Sequence, residues 1–90
     1  MVLVQAQRIL RMSVLTADGF DDAIIGIGRR CGQPDIVAYD ESKVIDILMK
    51  REGMSYEDAI EWYEFNIVGG WHGDQTPLWV TVGANPLEHE

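Results

Sequence analysis

The apolar positions of this 90-residue chain change their period along its length. In the first seventeen residues Leu3, Ala6, Leu10 and Val14 sit at helical spacing, while Val2, Val4 and Ala6 alternate as in a strand. A helix is the preferred reading there and a strand the alternative. Met12-Ser13 also offers a second translation start, which would make the residues before it an extension. From Asp18 onward, Phe20, Ile24, Ile27 and Cys31 share one face of a helix that Asp18 can cap. Asp21 and Asp22 would sit in its positive first turn, and Gly32 and Pro34 would stop it. Gly26 and Gly28 weaken such a helix by about 1 kcal/mol each, which makes sense if another backbone packs closely there. A strand through Ala23–Ile27 is the alternative.

The second half is sharper. Ile36-Val37-Ala38-Tyr39 reads as a short strand. Asp40 ends it and caps a helix over Glu41–Glu52, whose buried stripe is Val44, Ile45, Leu48 and Met49 and whose stop is Gly53. Ser55-Tyr56-Glu57-Asp58 is a capping-box pattern that opens a third helix, Tyr56 to about Ile67. Tyr56, Ala59, Ile60, Tyr63 and Ile67 form its core face, with Glu57, Glu61 and Glu64 opposite and Asp58 beside them. Gly69 to Pro77 is a glycine-rich loop, and Leu78–Val82 is a strand rich in β-branched and aromatic residues.

The predicted order is (α)-α-β-α-α-β: a small single α+β domain of about three helices with a short two- or three-stranded sheet. Residues 1–17 form an N-terminal segment, 18–83 the α+β domain and 84–90 a flexible tail. Two short strands make a poor sheet alone. Either the N-terminal segment supplies a third strand, or a second copy completes the sheet across a homodimer, which would also relieve the thin core of so short a chain.

Net charge narrows the partners. Seven Lys and Arg face fifteen Asp and Glu, a formal −8. The imbalance is local: residues 1–34 sum to +1, residues 35–90 to −9, and no Lys or Arg follows Arg51. This argues against direct nucleic-acid binding and against an anionic membrane surface. No apolar run approaches the roughly 18 residues of a membrane span. One cysteine, Cys31, rules out an intrachain disulfide, fits a reducing cytoplasm and reads as a small buried hydrophobe.

Several residue groups carry chemistry worth weighing. Gly26-Ile27-Gly28 lacks the third glycine of a dinucleotide fingerprint, so no cofactor is expected. Asp21, Asp22, Asp40 and Glu64 are of the type that binds a divalent cation, but their spacing matches no known loop, and no metal is expected. His72 and Asp74, with Glu64, would make a general acid–base cluster if brought together, though no nucleophile is tied to them. Thr76, before Pro77, is a turn former. Asn66 is expected as a left-handed helix cap, and Phe65 as core or edge packing. Trp62, Trp71 and Trp79 all follow residue 60 and suit a surface that is apolar on one side and wet on the other.

The runs Asp21-Asp22-Ala23-Ile24-Ile25-Gly26-Ile27-Gly28, Tyr39-Asp40, Lys43 to Met49, Gly53 to Ala59, Glu64-Phe65-Asn66 and Gly69 to Pro77 together resemble short uncharacterised proteins encoded by phages, prophages and bacteria. The resemblance covers roughly residues 20–82. It implies a cytoplasmic protein acting within a host cell and supplies no catalytic residues.

These readings converge on a small acidic interaction protein without catalysis that binds or modulates a host protein with a basic surface. The candidate contact residues are Glu57, Glu61, Glu64, Trp62, Trp71 and His72. One alternative is a nucleic-acid-mimicking inhibitor of a host defence or transcription complex. Another is a small enzyme or ligand-binding domain centred on the loop around His72.

Overall fold

The computed structural model describes residues 4–9 and 12–88. The N-terminal segment is a hairpin, not a helix. Strands β1 (Val4–Ile9) and β2 (Met12–Ala17) pair antiparallel from Val4↔Ala17 to Ile9↔Met12. Leu3 and Leu10, on which the helical spacing depends, lie outside the described residues. Within the described part, the period-2 alternation and the β-branched residues Val4, Ile9, Val14 and Thr16 agree with a strand. β2 ends in the core, where Val14 and Ala17 are buried.

The helix expected from Asp18 is also absent. One short 3₁₀ turn, Asp21–Ala23, leads directly into strand β3 (Ile24–Gly28). Three isoleucines and two glycines within five residues disfavour a helix on both counts, and the neighbouring strand needs a partner. A bulge separates Ile24 from Gly26 in the pairing. Because the segment is a strand, Cys31 does not fall on a helix face. It is exposed in the turn closed by the Gln33 N–H donating to the Arg30 carbonyl at 3.0 Å.

Strand β4 (Ile36–Asp40) runs antiparallel to β3 and parallel to β5 (Leu78–Val80), so the sheet order is β3-β4-β5. The parallel pairing requires a crossover, and two helices supply it. The first, α1 (Glu41–Glu52), starts where Asp40 Oδ1 accepts the N–H groups of Ser42 and Lys43 at 2.9 and 3.4 Å. Gly53, at φ +68°, ends it in the left-handed conformation that glycine adopts without strain. The second, α2 (Tyr56–Tyr63), starts where Ser55 Oγ accepts the Asp58 N–H at 3.2 Å. It widens into a π-helical turn over Glu64–Val68. The described architecture is therefore α+β with two α-helices, not three, and a three-stranded sheet whose third strand comes from residues 24–28.

Alternate residues of β4 decide where the core lies. Val37 and Tyr39 are fully buried, and both helices and the hairpin gather on their side of the sheet. Val44 and Leu48 of α1, Ala59 and Tyr63 of α2, and Ile67 of the π turn complete this layer. Tyr56 does not join it: at the first position of α2, beside exposed Gly53 and Ser55, it is 59% exposed. Trp79 stacks on Tyr39 with centroids 4.9 Å apart and meets the edge of Tyr63 at 6.1 Å. It is thus an internal packing residue and not part of an exposed aromatic surface.

Three hydrogen bonds tie the elements together. The Tyr39 hydroxyl accepts the buried Ala17 N–H at 2.7 Å, joining hairpin to sheet. Glu41 accepts from the Tyr63 hydroxyl with one carboxylate oxygen and from Thr81 Oγ1 with the other, both at 2.9 Å. Burial pushes both phenols above the ordinary tyrosine range, and for Tyr63 the Glu41 carboxylate adds to the effect.

Candidate functional site

The exposed side of α2 is built from residues one helical turn apart. Asp58, Glu61, Trp62 and Phe65 follow the i, i+3, i+4, i+7 spacing that lines up one face of a helix. With Met54 before the helix and Asn66 beyond it, they line an open groove of about 310 Å³. Trp62 and Met54 pack partly against the core, so the groove floor is fixed by the fold. Phe65 is 80% exposed and projects from the groove's far end. It is therefore neither a core nor an edge-packed residue.

The π turn causes that exposure. The Gly69 N–H reaches back five residues to the Glu64 carbonyl at 3.1 Å, one residue further than in an α-helix. The extra residue keeps Ile67 buried while Phe65 turns outward. Asn66 is not a left-handed cap. Its Nδ2 donates to the Trp62 carbonyl at 3.1 Å, inside the widened turn. Single π turns are frequent at functional sites.

The predicted contact residues divide into three groups. Glu61 and Trp62 line the groove. Glu57 and Glu64 are exposed on the adjacent strip of the helix surface, at 100° per residue, and extend the acidic rim. Trp71, 73% exposed, and His72 lie in the following loop and do not line the groove. Phe65, Met54, Asp58 and Asn66 are groove residues that sequence reasoning did not select. The spacing of Asp58 and Phe65 from Trp62 was the available signal, but it is readable only once the buried face of α2 is known.

The loop after the π turn is closed on itself. Thr76 Oγ1 accepts the His72 N–H at 2.7 Å and donates to the Gly73 carbonyl at 2.6 Å. Gln75 Nε2 donates to the Asp35 carbonyl at 3.2 Å, pinning the loop beside the start of β4. Among the described residues, the ion pairs are Arg29–Asp35, Lys50–Asp46 and Arg51–Glu52, so none joins His72 to Asp74 or Glu64. Also among the described residues, no three His, Cys, Asp or Glu side chains gather closely enough to hold a metal ion. Asp40, one of the residues weighed for a cation, is committed to capping α1. No helix among the described residues is long and apolar enough to cross a membrane.

The chain matches no protein-family model, no curated protein and no solved structure.

Proposed function

We propose that this chain is a small acidic interaction protein that acts without catalysis. Its α2 groove takes a basic, amphipathic segment of a partner protein. The observation that carries this reading is the groove itself: an apolar floor of Met54 and Trp62, an exposed Phe65 at its end, and Asp58 and Glu61 along it. An aromatic face accepts the aliphatic stem and the charge of an arginine or lysine side chain, and the carboxylates beside it select for that charge. Glu57 and Glu64 extend the negative field along the helix. With no Lys or Arg after Arg51, nothing in the same stretch of sequence neutralises them. The resemblance to short phage and prophage proteins supports a host protein as the partner, met in the host cytoplasm.

The test uses a labelled basic amphipathic peptide and an acidic peptide of equal length. Binding is followed by fluorescence anisotropy of the labelled peptide and by the protein's tryptophan emission. The basic peptide is expected to bind with an affinity that falls as salt rises, and the acidic one not to bind. Replacing Glu57, Glu61 and Glu64 together by Gln should slow association and flatten the salt dependence. Phe65→Ser should speed dissociation. If the triple variant binds as fast and as tightly as the parent at low salt, the acidic rim is only solvated surface.

A further inference from the structure

At about 310 Å³, the groove on α2 is at the lower end of the roughly 300–1,000 Å³ of small-ligand sites, so it grips one anchoring side chain and not the whole face of a partner helix. Every charged group that lines it is a carboxylate, Asp58 or Glu61, one helical turn apart. Among the described residues neither has an ion-pair partner, because the paired acids are Asp35, Asp46 and Glu52. Asn66 adds a neutral acceptor. Its Nδ2 donates to the Trp62 carbonyl at 3.1 Å, and the reverse placement would set two acceptor oxygens against each other. Oδ1 is therefore the atom left to accept from a ligand. Two rings complete the lining: Trp62, packed partly against the core, and Phe65, open on both faces at 80% exposure.

We propose that the side chain this groove takes from its partner is an arginine, in preference to a lysine. The proposal rests on the reading of the α2 groove as the partner site and names its anchor. A second place in the chain shows how these groups hold a guanidinium. The Arg51 guanidinium carbon lies 4.9 Å from the centroid of the Phe20 ring. From there Nη1 donates to the Gly19 carbonyl at 3.1 Å and Nε to the Glu52 carboxylate at 3.3 Å. One planar cation thus meets a ring, a neutral oxygen and a carboxylate together. The groove offers the same three kinds of group: the rings of Trp62 and Phe65, Asn66 Oδ1, and the carboxylates of Asp58 and Glu61.

Lysine does not combine them. Its ammonium is a compact, strongly hydrated charge with no flat surface, so it pairs as a point and keeps its water. Lys50 behaves in this way, meeting Asp46 at 2.9 Å with its side chain 78% exposed. A guanidinium is planar, more weakly hydrated and carries five N–H donors in a fixed fork. It can lie on a ring while its edge donates to carboxylate and amide oxygens. Both residues have an aliphatic stem to cover Met54, so the head group is what separates them.

The test uses three labelled amphipathic peptides, identical except at one central position and with lysine at every other basic position. The central residue is arginine, lysine or citrulline, which has the shape of arginine without its charge. Each is titrated into the full chain by fluorescence anisotropy. The arginine peptide is expected to bind about tenfold tighter than the lysine peptide, and the citrulline peptide no tighter than the lysine one. Phe65→Leu keeps an apolar side chain at an exposed position and removes the ring. It should reduce the preference for arginine to about threefold or less. Glu61→Gln should weaken the arginine peptide more than the citrulline peptide. Unchanged far-UV circular dichroism confirms that both variants are folded. Equal affinity for the arginine and lysine peptides would overturn the inference and leave the groove as a site for basic segments in general. Full retention of the preference in both variants would also overturn it, by placing the arginine elsewhere. Binding of none of the peptides would instead refute the reading of the groove itself, and the inference with it.

Discussion

The hydrogen bond between Tyr39 and Ala17 offers a sharp test of how the hairpin is held. Tyr39 is fully buried, and its hydroxyl accepts the Ala17 N–H at 2.7 Å. Tyr39→Phe removes one oxygen atom and keeps the ring that stacks on Trp79. The Ala17 amide is then left in a dry interior without an acceptor, which costs about 1–3 kcal/mol. For 90 residues the unfolding entropy is roughly 190 cal/mol/K, so a loss of about 2 kcal/mol lowers Tm by about 10 °C. Calorimetry of parent and variant at matched protein concentration measures this, since self-association would otherwise shift Tm. Tyr56→Phe is the control: its ring is 59% exposed, and its Tm should stay within about 3 °C of the parent. Hydrogen exchange adds a local readout, with Ala17 N–H protection falling more than that of Val37. A Tyr39→Phe variant that melts within about 2 °C of the parent would refute the reasoning. It would mean that water reaches Ala17 and that the hairpin is not docked on the sheet.

Asp40→Ala removes the acceptor for Ser42 and Lys43 and should cost about 1 kcal/mol, whereas Asp40→Asn, an equally good cap, should melt close to the parent. Tyr39 and Tyr63 hold their protons in the folded state beyond the ordinary tyrosine value of about 10, so the unfolded chain releases protons first. Stability should therefore be full below about pH 10 and fall as pH rises above it. Guanidinium midpoints measured on either side check this, and Tyr63→Phe should flatten the decline. Replacing Glu57, Glu61 and Glu64 by Gln removes like charges three and four residues apart, so thermal melting should show an unchanged or slightly raised Tm.

Features that close within a few residues were legible in the chain. The Asp40 cap, the span Glu41–Glu52, the Gly53 stop and the Ser55–Asp58 contact each depend on side chains and amides no more than four positions apart. Local chemistry decides such elements before any distant contact forms. Strand β4, with its alternating burial, was legible for the same reason. Glu61 and Trp62, singled out in the sequence for its uncompensated acidic stretch and its late tryptophans, both line the groove on α2.

Tertiary structure decided the rest. Ile24–Gly28 satisfies helical spacing about as well as strand alternation, and the unpaired edge of β4 is what settles it as a strand. Cys31 and Tyr56 were assigned to core faces that the fold does not extend to, one because its helix does not exist and one because the entering turn is exposed. Phe65 and Asn66 depend on a single extra residue in the turn Glu64–Val68, which packing of Ile67 selects and no local pattern announces. Which face of the sheet is buried is likewise a property of assembly. A strand pattern says which residues alternate. Only the placement of both helices and the hairpin on the Tyr39 side says which of the two faces is buried in the core.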